Sequence, residues 1–118
     1  MALVYTKEHL WINTEEGTIG ITDYAQGELG DILFVDLPEE DAEFAAGDKF
    51  TELETSKTTV ELALPFDGKV IEANEELDDD PEKINEDAMA AWIAKFEMTS
   101  EPGDVMTASE YEAYIETL

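Results

Sequence analysis

The sequence contains no cysteine and no arginine, and only one histidine. Without cysteine the chain forms no disulfide, offers no thiolate to a metal and supplies no cysteine nucleophile. Redox chemistry, if it takes part in any, must come from a bound group. His9 alone cannot build a histidine-rich metal site, and with no serine in a nucleophile-elbow context a catalytic triad is excluded as well. Gly17, Gly20, Gly27 and Gly30 are scattered turn glycines with no basic residue behind them, which excludes a phosphate-cradling loop. No apolar run approaches the length of a membrane span. The opening Met1-Ala2-Leu3-Val4-Tyr5 lacks the basic segment and long apolar core of a signal peptide, so the expectation is a soluble, cytoplasmic chain of prokaryotic type with no membrane partner.

What is abundant is negative charge. Thirty-one acids against six lysines give a net charge of −25 over 118 residues. Such a surface repels phosphates and anionic headgroups, which argues against nucleic acid as a partner. Two readings of the acidity stand side by side: solubility or adaptation to salt, and steering of basic protein partners. Carboxylates this numerous make close pairs inevitable, so no glycosidase-like dyad can be singled out. Asp78-Asp79-Asp80 lacks the alternating spacing and central glycine of a calcium loop, and no metal site is expected.

The hydrophobic fraction of 43% is ordinary for a globular chain, and the length suits one domain over 1–118. Short apolar runs alternate with turn residues in the manner of strands. Leu10 to Asn13 and Thr18 to Thr22 flank a polar turn and read as a hairpin. Asp23 is placed to cap a short helix through Leu29, with Gly30 as its stop. Asp31 to Leu37 reads as a buried strand ended by Pro38. Lys49 to Glu54 and Thr58 to Leu64 form a second hairpin around Thr55-Ser56-Lys57, with Val60, Leu62 and Leu64 on one face. After Phe66-Asp67-Gly68, extended structure resumes through Ala73. Residues 75–86 read as a solvated acidic loop, with at most one helical turn after Pro81. Ala91 to Met98 reads as a final strand with Trp92 in the core, and Thr107 or Ser109 caps a C-terminal helix through Glu116.

A lysine in a hairpin turn is by itself an ordinary surface residue. Lys57 stands out because of the segments around it: Tyr5-Thr6-Lys7-Glu8-His9, then Gly20 to Gln26, Leu29-Gly30-Asp31-Ile32, Phe34-Val35-Asp36-Leu37-Pro38, Glu54-Thr55-Ser56-Lys57, Pro65 to Asn74 and Ile84-Asn85-Glu86-Asp87. In this order, over roughly residues 3–98, they resemble the H-protein of the glycine cleavage system.

That resemblance implies a mainly β fold of the lipoyl/biotinyl type, a flattened barrel or sandwich (barrel-sandwich hybrid) with short peripheral helices and a C-terminal helix. It implies lipoate in amide linkage to Lys57, with Glu54, Ser56, Glu61, His9 and Asp23 as candidates for recognition or for the cleft that shelters the arm. The implied role is that of a monomeric, non-catalytic carrier of the glycine aminomethyl group. Its partners would be the pyridoxal-phosphate glycine decarboxylase (P-protein), the tetrahydrofolate-dependent aminomethyltransferase (T-protein), the dihydrolipoyl dehydrogenase (L-protein) and a lipoyl-attaching enzyme. A biotin carrier fits less well, since no methionine brackets Lys57.

Three departures from the family pattern bear on the role. Leu10 stands where the family has an acid after the histidine, although the acid four positions beyond the lysine is kept as Glu61. Ala88-Met89-Ala90-Ala91 replaces a Pro-Tyr-Gly segment. Thr55-Ser56 replaces Ser-Val, so that Ser56-Lys57-Thr58 partly resembles H-like proteins that relay lipoate to others. The relay is therefore the alternative to the glycine cleavage shuttle.

Overall fold

The computed structural model describes residues 3–118, so Met1 and Ala2 of the opening segment lie outside the described residues. Nine strands and four short helices follow one another along these residues. The first half holds β1 (Leu3–Tyr5), β2 (Leu10–Asn13), β3 (Thr18–Ile21), α1 (Asp23–Leu29), β4 (Ile32–Asp36), β5 (Glu43–Phe44) and β6 (Lys49–Thr55). The second holds β7 (Thr59–Ala63), β8 (Gly68–Ala73), α2 (Glu76–Asp79), α3 (Lys83–Glu86), β9 (Ala94–Met98) and α4 (Ala108–Ile115).

All strand pairs are antiparallel. One sheet runs β1-β2-β3-β9-β8-β5 and the other β4-β6-β7. The molecule measures 33 × 32 × 22 Å, flattened as two stacked sheets require. Between them lies one core cluster that includes Ile12, Ile19, Leu53, Leu64, Phe66 and Ile93, all fully buried. Phe96 sits at its centre, meeting Phe44, Phe50 and Phe66 edge to face at 6.3, 5.8 and 5.5 Å. Each such pair adds about 0.5–1.5 kcal/mol beyond the area it buries. In β7 the period-two pattern holds: Leu62 is buried while Thr59, Glu61 and Ala63 face solvent.

Four expectations are corrected. Thr22, not Asp23, caps α1, because its Oγ1 accepts from the Ala25 N–H at 3.2 Å while Asp23 is already the first helical residue. The strand at 31–37 is not buried on both faces. As an edge strand it leaves Leu33 and Phe34 59% and 43% exposed. The acidic segment 75–86 holds the helical turn expected after Pro81, as α3, but also a second one, α2, in place of loop, since Leu77 and Ile84 each bury fully and fix a turn against the core. Trp92 is only half-buried and precedes β9; the buried indole is Trp11, which lies against Gly20 and donates from Nε1 to the Ala88 carbonyl at 3.1 Å. A Cβ on Gly20 would stand 2.8 Å from that ring, so no larger residue fits there. Thr107 caps α4 through a capping box with Glu110.

Candidate functional site

The hairpin β6–β7 closes on Ser56 and Lys57, and the turn is held by short local bonds. Thr55 Oγ1 accepts from the N–H groups of both Lys57 and Thr58, at 3.2 and 3.0 Å, and donates to the Thr58 carbonyl at 2.9 Å. A threonine hydroxyl bonding a backbone two and three residues on is the usual way such turns are stiffened. The Ser56 N–H donates to the Asp31 carbonyl at 3.0 Å, joining the tip to the chain that leaves α1.

Lys57 is exposed and lies across the end of that helix. Its Nζ donates to the Glu28 carbonyl oxygen at 3.2 Å. The last carbonyls of a helix have no partner within it and carry partial negative charge, so they attract a cation. α1 has no basic residue in its own last turn, and Lys57 supplies one from another element. Gly30 makes the approach feasible. A Cβ there would lie 2.8 Å from Ser56 Oγ and 3.6 Å from Lys57 Cε. Gly30 has φ 81 and ψ −156, a region essentially restricted to glycine. Asn85, on α3, fixes the same segment: its Oδ1 accepts from the Ile32 N–H at 2.8 Å, and its Nδ2 donates to the Gly30 carbonyl at 2.9 Å and to Gln26 Oε1 at 3.0 Å.

The other candidates fall into two groups. Glu54 and Glu61 project from the outward face of the three-stranded sheet. Glu54 lies opposite Phe34 and Thr59, and Glu61 opposite Glu52. Lys49 Nζ lies 3.6 Å from Glu52 and 3.8 Å from Glu61, offsetting the repulsion between them. His9 and Asp23 sit instead at the N-terminal end of α1, about 10 Å from its other end for seven residues. Asp23 lines a cavity of ≈ 360 Å³ together with Tyr5, Thr22, Tyr24, Met89 and Tyr111.

His9, at φ 67, packs on Tyr24 with ring centroids 4.9 Å apart. Its Nδ1 shares a hydrogen bond with the Tyr111 hydroxyl at 2.8 Å, and that hydroxyl shares another with Thr22 Oγ1 at 2.7 Å. Burial lowers the His9 pKa from its ordinary 6.5, against the opposing pull of Glu8 and Glu28. Burial raises Tyr111, so its phenol stays protonated at neutral pH. Leu10 is buried in the core at the start of β2, 1% exposed, and presents no polar group to this region.

Glu28 and Tyr111 were not singled out from the sequence; Thr22 and Asn85 stood there only within the ordered motifs, and Gly30 was read as the stop of the first helix, which it is. Gly30 had a signal, since it follows a helical pattern and precedes a strand. The bonds of Asn85 and Tyr111 had no local signal, because each reaches partners more than fifty residues away.

Two antiparallel sheets enclosing one core, with short helices around them and a hairpin tip presenting an amine, define the fold of a lipoyl-carrier domain. The family model described as "Glycine cleavage H-protein" matches residues 3–118. The glycine cleavage system H protein of Staphylococcus haemolyticus (strain JCSC1435) is 50% identical, over 96% of this chain and 94% of the relative. A probable glycine cleavage system H protein of Pyrococcus horikoshii is 49% identical, over 98% and 91%. The crystal structure of a glycine cleavage system H protein from Mycobacterium marinum superposes with a TM-score of 0.90 at 35% identity, covering 98% of this chain and 97% of that one. The chain belongs to the glycine cleavage H-protein family.

Proposed function

We propose that Lys57 is the lipoyl attachment residue, through which the chain serves as the non-catalytic carrier of the glycine cleavage system. The observation that carries this reading is the seating of Lys57: an exposed amine at the tip of a stiffened hairpin, with its stem over Gly30 and its nitrogen at the Glu28 carbonyl. These residues fit a long acyl tether. Gly30 leaves the stem room, and an amide nitrogen at the same place keeps one N–H to donate to the same carbonyl.

In the attachment step the Lys57 amine, having given up a proton, attacks the acyl carbon of an activated lipoyl donor. The C–N bond forms, the donor's C–O or C–S bond breaks, and the amine loses a second proton. Once bound, the group supplies reversible disulfide and dithiol chemistry on a flexible tether. Ser56, Thr55 and Asp31 hold the root of that tether still, so the volume it sweeps is defined and its effective concentration at a docked enzyme is high. Asp23 and Tyr24 line the cavity at the N-terminal end of α1, with His9 packed on Tyr24, and these residues would shelter the far end of the arm from water. The partners that follow are the glycine decarboxylase, the aminomethyltransferase, the dihydrolipoyl dehydrogenase and a lipoyl-attaching enzyme. The location that goes with this reading is the prokaryotic cytoplasm, supported by relatives from Staphylococcus and Pyrococcus.

A second reading, a carrier that relays lipoate to other proteins, draws on Leu10. Its burial leaves the arm region without the acid that the family pattern places there. Intact-mass measurement of protein from its native cell is the first test. A gain of one lipoyl group that disappears in Lys57→Ala is expected, and an unmodified mass under lipoate-replete conditions would sink both readings. Reconstitution with the decarboxylase and labelled bicarbonate then separates them: exchange into the glycine carboxyl that depends on the lipoylated protein supports the shuttle, and its absence supports the relay.

A further inference from the structure

Regular alternation along β4 would turn either Leu33 or Phe34 inward. Instead the pairing with β6 shifts register between Ile32 and Phe34, and both side chains face solvent, 59% and 43% exposed. They lie on an edge strand, where adjacent exposed apolar residues invite unwanted pairing. Carboxylates surround them. Glu54 is the cross-strand neighbour of Phe34, and the next outward row along the sheet is Asp36, Glu52 and Glu61. On its other side Phe34 borders a groove of ≈ 680 Å³ whose lining includes Leu37, Glu39, Glu40, Asp78 and Asp79 and no lysine.

The position of this patch limits what can occupy it. An enzyme that acylates Lys57 must bring its reaction centre to Nζ, and a stable interface covers about 800 Å² on each partner, a disc of roughly 16 Å radius. Asp31 is bonded to the hairpin tip, and at about 3.3 Å per residue Phe34 lies no more than ~10 Å further along the chain. Phe34 is also paired with Glu54, three residues before Lys57, so Leu33 and Phe34 lie within reach of an interface centred on the hairpin tip. Enzymes that act on the far end of a flexible arm are under no such constraint.

We propose that Leu33 and Phe34, with the carboxylates around them, form the docking surface for the enzyme that acylates Lys57. That enzyme's matching surface presents lysine and arginine around an apolar contact. The apolar pair supplies the anchor, and the carboxylates supply orientation and a faster encounter. The proposal rests on the assignment of Lys57 as the acylated residue.

The test follows acylation of the unmodified protein by the lipoyl-attaching enzyme of the same cell, given lipoate and ATP, by intact mass. Wild type is compared with Leu33→Ser, Phe34→Thr and Glu54→Gln. The expected result is a KM raised on the order of tenfold in each apolar variant, as for loss of one interface anchor, with kcat and thermal midpoint unchanged. Glu54→Gln should raise KM less, by an amount that disappears at high salt. Threonine at 34 keeps a strand-forming residue, so a folded variant is available if serine at 33 disturbs the edge. Equal KM values across the series, or a change confined to kcat, would overturn the docking surface and leave the Lys57 assignment intact. No acylation of wild type would overturn both. A wild-type dimer in sedimentation that Phe34→Thr dissolves would give the patch to a second copy of this chain and overturn the proposal.

Discussion

Lys57 Nζ lies 3.2 Å from the Glu28 carbonyl oxygen, so the exposed amine at the hairpin tip is tied to the end of a helix 29 residues earlier in the chain. The contact exists because two unrelated segments are held in register. The hairpin tip is bonded to Asp31, and Asp31 follows directly on the glycine that ends α1. The helix end is thus part of the lysine's support.

Gly30→Ala tests the closeness of that support. The new Cβ would lie 2.8 Å from Ser56 Oγ, and alanine would have to adopt φ 81, ψ −156. Strain of this kind costs about 1–3 kcal/mol. The expected outcome is a lowered midpoint in urea unfolding together with slower acylation of Lys57, since relief of the clash moves the hairpin tip. A variant as stable as wild type and acylated at the same rate would show that the tip does not depend on Gly30.

Asn85→Leu tests the clamp from the other side. The substitution leaves the Ile32 N–H and the Gly30 carbonyl without their side-chain partner in a half-buried place. The penalty for unsatisfied groups there is about 1–3 kcal/mol. Amide exchange at Ile32 should accelerate more than exchange at Leu53, which lies in the core of the same sheet. Uniform acceleration would mean that Asn85 contributes only to global stability.

The contrast between Gly30 and Asn85 also indicates how much of the molecule could be read from its sequence. Period-two patterning and turn residues located the two hairpins, because they are short-range signals written in adjacent residues: Leu62 and Glu61 point opposite ways by stereochemistry alone. The apolar run at 32–35 misled instead, because it makes 31–37 read as a strand buried on both faces, whereas a register shift on an edge strand leaves both Leu33 and Phe34 exposed. At 75–86 the turn after Pro81 was expected but the one before it was not, since a single apolar residue, Leu77, was enough to order an otherwise acidic stretch. β1 and β5, at three and two residues, were too short to show a pattern. Lys57 was picked out only through the ordered motifs around it. The bonds made by Asn85 and by Tyr111 depend on tertiary closure over 53 to 102 residues, which no local pattern encodes.

The bond between His9 and Tyr111 predicts a pH dependence. Burial lowers the His9 pKa below 6.5, so near that pH the unfolded chain binds a proton that the folded protein does not. Stability therefore rises with pH in this range. The contribution is fully present above the unfolded value of about 6.5 and is lost as pH falls through the lower folded value. His9→Asn keeps a residue that tolerates the left-handed backbone at φ 67 while removing the titration. The difference in thermal midpoint between His9→Asn and wild type should thus change between about pH 8 and pH 5, to the relative advantage of the variant at the acidic end. Tyr111→Phe separates the proton from the hydrogen bond. It removes the partner of both His9 and the buried Thr22, and should cost about 1–3 kcal/mol at neutral pH. Titration of the His9 ring protons by NMR decides the sign, since a folded value equal to the unfolded one would abolish the dependence and a value above it would reverse it.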